Sequence, residues 1–374
     1  MSIKKIILSA LAALIIILPL TGCADYKNIE DLNIVAGVAI DKKDGRYILC
    51  SEIVKPAGDG NGGEVEPLVV KAVGVTLSDA VDRTMEQLGG QAYFEQCKIL
   101  IIGEKTAKEG ELKTLVDWIT GSKEFHISGT VLICKNAPAS EIFGQKPLRD
   151  PLVSIEIDRV LENQKNLTCR APDVTIADIN NAMDDRYGAV MLPAISVMEE
   201  DGKKQNRVDG AALFDGQRLV GFLDGDETGY LLFAADKTRG GVLIKRGETG
   251  VRTYSGARVL SNKTVLTPEI TGGNIGITVR TQTKISLTEP VRGEDFAQNP
   301  EDISDIEREF AWQLSENIES VIEKVQNQYG CDVLGFRHTL IEKYPGQADE
   351  LNRNWPEKLK EIEVGADSEV SVIQ

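Results

Sequence analysis

PEDISDIEREFAWQLSENIESVIEKVQNQYG, residues 300–330, is the longest periodic stretch of the chain. Its apolar residues recur every three or four positions, at Ile303, Ile306, Phe310, Leu314, Ile318, Val321 and Val325. Such spacing puts them on one face of an α-helix. Pro300 and the two acids after it suit the first turn, and Gly330 suits the end. The stretch therefore predicts a helix of about 28 residues, roughly 42 Å long at 1.5 Å per residue.

The width of the apolar stripe indicates how this helix is buried. A stripe about 100° wide is typical of a helix packed on a core, so we expect it to lie across the sheet that precedes it. A free coiled coil is the alternative, although the steps do not keep a strict heptad. The opposite face is acidic, with Glu309, Glu316, Glu319 and Glu323. This face is a candidate for docking a partner protein, and a merely solvated surface is the other interpretation.

The chain before this helix alternates strand and helix patterns. Apolar runs predict strands at 32–41, 46–50, 69–73, 98–103, 129–134 and 190–198, and residues 241–288 are rich in strand patterns. Amphipathic spacing predicts helices that begin at Leu77 and Leu112, and two more at 156–165 and 174–185. The last residues, 361–373, alternate like an edge strand. The predicted fold class is α+β, with several mixed or antiparallel sheets each covered by helices, and with the long C-terminal helix packed on a sheet.

Composition shifts predict a multi-domain chain. Residues 199–206 are wholly polar and predict a boundary or an exposed hairpin loop. We divide the chain into a leader at 1–22, an N-terminal α/β region at 23–205 that could hold two lobes, and a C-terminal region at 206–374. Residues 273–374 are a candidate separate lobe in which the helix covers a sheet.

Residues 224–229 imitate part of a calcium loop. Asp224, Asp226 and Thr228 stand at its first, third and fifth positions, but the twelfth position is Ala235, where a bidentate carboxylate is needed. An acidic N-terminus for a helix over 230–235 is the favoured interpretation, since anions stabilise that end of a helix.

The N-terminus carries the features of an export signal. Lys4 and Lys5 precede an apolar run from Ile6 to Leu20, which is shorter than the roughly 20 residues that span a bilayer as a helix. The run ends in Leu-Thr-Gly-Cys at Cys23, which looks like a bacterial lipobox. We therefore expect cleavage before Cys23 and attachment of diacylglycerol to its thiol, because two acyl chains give stable anchoring. An ordinary signal peptide and an uncleaved anchor are the alternatives.

Charge and chemistry argue against several classes of function. The formal net charge of −16 disfavours nucleic-acid binding and polybasic attachment to membranes. The other five cysteines are far apart and odd in number, so we expect no disulfide framework or zinc site, and Cys97 and Cys134 fit a buried core. His126 and His338 are the two histidines, and no hydrolase or phosphate-loop motif accompanies them. We predict no catalytic residue, no metal and no cofactor, although a lytic enzyme with a carboxylate pair stays open.

Several segments, taken in order, resemble the C-subunit lipoproteins of spore nutrient-germinant receptors, the Ger(x)C family. They are CADYKNIEDL at 23–32, the strand at 34–41, KILIIGE at 98–104, DGAALF at 209–214, LVGFL at 219–223 and DVLGF at 332–336. The order and spacing of these segments carry the resemblance, which covers nearly the whole chain after the leader.

The resemblance implies a non-enzymatic receptor subunit. It would be held by its lipid on the outer face of the cell membrane or inner spore membrane. Its partners would be an integral A-type subunit and a permease-like B-type subunit, and its role would be assembly of the receptor or coupling of nutrient sensing to germination. A solute-binding lipoprotein that serves a transporter is the alternative. Such proteins use aromatic and charged clefts, whereas Trp118, Trp312 and Trp355 lie in predicted helices, where core packing is expected.

Overall fold

The computed structural model describes residues 32–54, 67–121, 129–246, 254–288 and 300–373. The leader with Cys23, and His126, lie outside these residues. In the described part of the chain, strands form two sheets, one nine-stranded and one four-stranded, and helices pack on both. This arrangement confirms the predicted α+β class, with two sheets in place of several.

The nine-stranded sheet is built from residues 32–223. Its strands are β1 (Leu32–Lys43), β2 (Arg46–Val54), β3 (Pro67–Gly74), β4 (Gln91–Tyr93), β5 (Ile99–Gly103), β6 (Thr130–Cys134), β7 (Ala189–Glu200), β8 (Lys203–Asp215) and β9 (Arg218–Leu223). The order is β3-β2-β1-β5-β6-β7-β8-β9, and β4 pairs with β1. The central β1, β5, β6 and β7 are parallel, and hairpins extend the sheet at both ends. Parallel strands are normally covered on both faces, and these are.

Helices cover the two faces of this sheet. They are α1 (Leu77–Met85), α2 (Glu104–Lys108), α3 (Leu112–Gly121), α4 (Val153–Asn163), which continues in a π turn (Gln164–Thr168), α5 (Ile176–Asp184) and α6 (Gly225–Ala234). Helices α1, α3 and α5 share one core with β1, β2 and β5. On the other face, α4 and a 3₁₀ helix (Ala139–Gly144) bury Val153, Ile157, Ile142 and Phe143.

The four-stranded sheet is built from the C-terminal half. Its strands, in spatial order, are β10 (Val242–Arg246), β11 (Tyr254–Thr271), β12 (Asn274–Leu287) and β13 (Glu363–Val372). The helices that follow are α7 (Pro300–Lys324), which continues in a π turn (Val325–Tyr329), α8 (Phe336–Lys343), α9 (Ala348–Leu351) and α10 (Trp355–Glu361). Strand β13 pairs with β12 in parallel and lies at the edge of the sheet, as the alternation of 361–373 predicted.

Helix α7 is the predicted long helix, and it packs on the sheet as predicted. Ile306, Phe310, Leu314 and Ile318 are at most 6% exposed in one core with β11, β12 and α6. The coiled-coil alternative is therefore wrong. Trp355 is buried and Trp118 half-buried, but Trp312 is 67% exposed, so the prediction that it packs in the core is wrong.

The two sheets share one hydrophobic core where β9 meets the end of α7. Met191, Leu213 and Leu223 from the first sheet cluster with α6 and α7. A Cβ atom on Gly221 would lie 2.1 Å from the ring of Tyr329, so only glycine allows this close approach. The Tyr329 hydroxyl donates to the Phe222 carbonyl at 3.0 Å. The C-terminal end of α7 is thus fixed against β9.

Two helices begin earlier than the sequence patterns predict. Helix α6 begins at Gly225 instead of 230, because Asp224 is its N-cap and forms a capping box with Glu227. This arrangement accounts for the acids of 224–229. Helix α4 begins at Val153 instead of 156, and its N-cap, Leu152, has no capping side chain. The carboxylate of Glu52, from β2, takes that role.

The polar run at 199–206 lies at the tip of the β7–β8 hairpin, where Asp201 and Gly202, both at positive φ, form the turn and the residues on either side belong to the two strands. Both strands belong to the nine-stranded sheet. The division at 205/206 as a folding unit, and the separate lobe at 273–374, stay predictions.

Candidate partner-docking surface

Three of the four glutamates predicted to face a partner are exposed on α7. Glu309, Glu316 and Glu323 are seven residues apart and share a stripe of the helix that is open to solvent. Glu319 differs, because its Oε1 accepts a hydrogen bond of 2.6 Å from the Ala366 amide of β13 and its side chain is half-buried. The structure therefore separates Glu319 from the other three.

Glu319 belongs to a row of α7 side chains that cover the edge of β13. Glu307 Oε1 accepts from the Val372 amide at 2.8 Å, and Ser315 Oγ accepts from the Ser368 amide at 3.1 Å. With the Ala366 amide, these bonds engage three amides of one edge strand, at positions 366, 368 and 372, which are separated by even numbers of residues. An uncovered edge is a template for pairing with another chain, so α7 closes this edge of the four-stranded sheet.

Trp312 lies on the same exposed stripe as Glu309 and Glu316. It follows Glu309 by three residues and precedes Glu316 by four, the spacing of neighbours on a helix surface. Sequence reasoning missed it because a tryptophan in an amphipathic helix was assigned to the core. The signal was available, since position 312 is out of phase with the apolar residues Phe310 and Leu314.

A groove of about 860 Å³ runs beside Trp312. We call it the α7 groove. Its walls come from the start of α6, from β10 with the facing Gly256 of β11, and from α7. The described residues that line it are Asp224, Asp226, Glu227, Tyr230, Val242, Ile244, Gly256, Trp312, Gln313, Glu316, Asn317, Ser320 and Val321. Val242 and Ile244 are 50% and 54% exposed. The groove therefore combines exposed apolar side chains with carboxylates.

Two cations neutralise part of the acidic wall at α6. Glu227 pairs with Lys324, and Asp226 pairs with Arg170, which also bonds Asp209 at 2.8 Å. Partial burial lowers the pKa of Lys324, but its hydrogen bond to Glu227 and nearby negative charges outweigh that effect and raise the pKa above its ordinary value. Both cations stay charged at neutral pH. Neither is among the described residues that line the groove, whereas four of those residues, Asp224, Asp226, Glu227 and Glu316, are acidic.

A second cavity, of about 570 Å³, lies where α5, α6, β11 and α8 meet. His338 and Arg337 both approach the Asp185 carboxylate there, His338 at 3.4 Å. The Asp332 carboxylate accepts from the Phe336 and Arg337 amides at 2.7 and 2.9 Å and so caps α8. Asp185, Asp332 and His338 of the cavity lining are thus engaged with one another or with α8.

The chemistry-bearing side chains stand apart from one another. Within the described ranges, no group of three or more His, Cys, Asp or Glu residues is placed to hold a metal ion. Cys50, Cys97, Cys134, Cys169 and Cys331 are free thiols and all are buried, which confirms the core role predicted for Cys97 and Cys134. Among the helices of the described residues, none is long and apolar enough to cross a membrane.

Comparison with known proteins identifies the class. Residues 25–197 match the family described as "Spore germination protein N-terminal domain", and residues 209–374 match "Spore germination B3/ GerAC like, C-terminal". The two matches meet at the β7–β8 hairpin and together cover most of the chain. The chain belongs to this GerAC-like, or Ger(x)C, family of spore germination proteins, and the resemblance seen in the sequence is confirmed.

Particular relatives match along their whole length. Spore germination protein KC of Bacillus subtilis is 23% identical, with 99% of this chain and 96% of the relative covered. Spore germination protein B3 of the same organism is 24% identical, with 96% and 95% covered. The crystal structure of the GerBC protein has the same fold, with a TM-score of 0.56 and 19% identity over 93% of this chain and 100% of that one.

Proposed function

We propose that this chain is the lipid-anchored, non-enzymatic C subunit of a spore nutrient-germinant receptor. The observation that carries the proposal is the end-to-end match to proteins named for spore germination, through both family domains. Its role is to assemble with an integral A-type subunit and a permease-like B-type subunit, and to couple nutrient sensing to germination.

The sequence at the N-terminus supports the anchoring part of the proposal. The basic residues, the short apolar run and Cys23 together favour export and diacylation. Held in this way, the acidic chain stays at the outer face of a membrane whose anionic lipids would otherwise repel it.

The exposed face of α7 supports the assembly part. Trp312 stands in the open between Glu309 and Glu316, and aromatic residues of this kind are enriched where protein interfaces gain most of their binding energy. The hydrogen bonds of α7 to β13 and its buried stripe hold this face rigidly, so a partner would meet a preformed surface.

The anchor is tested by Cys23→Ala in the full chain, expressed in a spore-forming host. The variant should fold but appear in the fraction released by a high-salt wash, since Cys23 precedes every described element. Cys169→Ala, which removes a buried thiol, is the matched control and should stay in the membrane fraction. Retention of Cys23→Ala in the washed membrane would show that the lipid is not what holds the chain.

Assembly is tested by purifying the detergent-solubilised chain from spores and identifying what comes with it by mass spectrometry. We expect one A-type and one B-type membrane subunit. Recovery of the chain alone, or with a transporter of another class, would contradict the proposed role.

A further inference from the structure

The two edge strands of the four-stranded sheet, β13 and β10, differ in how far α7 covers them. At β13, three α7 side chains accept from the backbone amides of residues 366, 368 and 372. At β10, among the residues that the structure describes, the only pairing is with β11, and one side-chain bond reaches the strand, from Gln313 to the Ile244 carbonyl at 2.9 Å. Open edges accept an added strand from another chain. The α7 groove lies along this open edge.

The exposed apolar side chains of the sheet and helix meet in that groove. Trp312, Ile244 and Val242 are 67%, 54% and 50% exposed and line the same cavity. Contiguous apolar exposure of this kind marks interaction surfaces in soluble domains. Successive side chains of an added strand point to opposite faces, so alternate residues of a strand at β10 would reach Trp312.

The charge of the groove selects among possible occupants. Its lining includes Asp224, Asp226, Glu227 and Glu316 and, among the described side chains, no lysine or arginine. Counted over the described side chains alone, four acids line the groove and two cations, Arg170 and Lys324, pair with Asp226 and Glu227, which leaves an excess of negative charge. An anionic lipid headgroup or a second copy of this chain, with its net charge of −16, would be repelled. A segment that carries lysine or arginine would be attracted.

We propose that the α7 groove binds an extended, positively charged segment of a membrane subunit, which adds to β10 and places an apolar side chain against Trp312. This inference rests on the proposed function, since it requires a partner subunit. It goes further by assigning the surface, the conformation and the charge of the segment that docks.

The test uses the full chain with its membrane subunits in native membranes, with Trp312→p-benzoylphenylalanine as a photo-crosslinking probe. The matched control places the same probe at Leu148, which is 75% exposed and lies outside the groove. After irradiation, the joined peptides are identified by mass spectrometry. We expect the probe at 312, and not the one at 148, to join a membrane-subunit peptide with an excess of lysine and arginine.

Charge dependence gives a second readout. Glu316→Lys in the probe-bearing chain should lower the yield of the crosslink about tenfold or more, whereas Glu200→Lys, an exposed reversal in the β7–β8 hairpin, should not. Raising the salt to about 1 M, where the screening length is about 3 Å, should also lower the yield.

The outcomes separate the inference from the proposed function. If the subunits co-purify but position 312 joins nothing, or joins lipid, a second copy or an acidic segment, the inference is overturned and the proposed function stands. If no membrane subunit co-purifies with the unmodified chain, both are overturned.

Discussion

The carboxylate of Glu52, near the C-terminal end of β2, accepts a hydrogen bond of 2.8 Å from the backbone amide of Ser154, 102 residues further along the chain. The oxygen that accepts this bond, Oε2, also accepts from the Ser154 hydroxyl, and the other oxygen, Oε1, accepts from the Val153 amide at 2.8 Å. Glu52 is fully buried. A strand residue thus caps the first turn of α4, and a Cβ on Gly37 of β1 would lie 2.1 Å from Ser154 Oγ. The carboxylate and the glycine together fix how α4 sits on the sheet.

Glu52→Ala should lower the free energy of unfolding by about 1–3 kcal/mol or more, because two buried amides lose their acceptor. Glu52→Gln should cost less, since its amide oxygen still accepts from one of them. The measurement is urea denaturation of the full chain. Glu86→Ala, at an exposed position beyond α1, is the control and should change stability by less than about 0.5 kcal/mol. Equal effects at 52 and 86 would contradict the capping role.

The pH dependence of stability should also report the buried carboxyl of Glu52. Burial raises the pKa of the Glu52 carboxyl above its ordinary value, although its hydrogen bonds from Ser154 and Val153 oppose the shift. Between the unfolded-state pKa of about 4.3 and the raised value, the folded state binds more protons than the unfolded state. The contribution of this group to the free energy of unfolding therefore falls as pH rises through that window. The difference in the free energy of unfolding between the unmodified chain and Glu52→Gln should fall in this way when it is measured across the window. A difference that does not change with pH would contradict the prediction.

The buried stripe of α7 should dominate the stability of the C-terminal half. Phe310→Ala or Leu314→Ala should cost about 2–5 kcal/mol through lost burial and a cavity, since each is at most 2% exposed. Trp312→Ala, between them in the same helix, should cost less than about 0.5 kcal/mol because the ring is exposed. Urea denaturation of the three variants is the measurement. A larger loss at 312 than at 310 would show that the two faces of α7 are exchanged.

Local patterns predicted the elements that depend on local physics. The spacing from Ile306 to Val325 gave α7, and the spacing that begins at Leu77 gave α1, which Thr76 caps by accepting a hydrogen bond from the Asp79 amide. The capping box of Asp224 and Glu227 was also present in the sequence, three residues apart, but these acids were interpreted as the flank of a helix over 230–235, so the predicted start of α6 is five residues late.

Long-range relationships could not be predicted in the same way. The bond between Glu52 and Ser154 joins residues 102 apart, and neither neighbourhood contains a capping pattern that points to the other. The parallel pairing of β13 with β12 likewise depends on how the helices between these two strands bring the chain back to the sheet. For the candidate site, helical spacing placed Glu309, Glu316 and Glu323 in solvent, but the bond of Glu319 to Ala366 required the sheet beside the helix.

The five thiols of the folded chain should be unreactive. Burial raises the pKa of Cys50 to about 11 and those of Cys97 and Cys134 to about 12, so the reactive thiolate is scarce at neutral pH. The thiols of a chain with Cys23→Ala should therefore hardly react with a thiol reagent until the chain is unfolded in denaturant. All five should react once it is unfolded. Fast reaction of one thiol in the folded chain would show that its surroundings open.

Glu316 and Glu319 lie three residues apart on α7 and should respond differently to the same charge reversal. Glu319→Lys removes the acceptor of the Ala366 amide and should lower the free energy of unfolding by about 1–2 kcal/mol, because a hydrogen bond to a charged acceptor is lost at a half-buried edge. Glu319→Gln keeps an acceptor oxygen and should recover part of that loss. Glu316→Lys should leave stability within about 0.5 kcal/mol, since the side chain is exposed.

The same pair distinguishes a docking face from a solvated one. If the exposed stripe of α7 docks a membrane subunit, Glu316→Lys should reduce co-purification of the subunits and slow nutrient germination while the chain stays folded. Glu319→Gln, which preserves the cover of β13, should affect both much less. Denaturation, co-purification and germination rate are measured on the same three chains. Normal assembly and germination with Glu316→Lys would show that this part of α7 is only solvated, and would confine any docking to another surface.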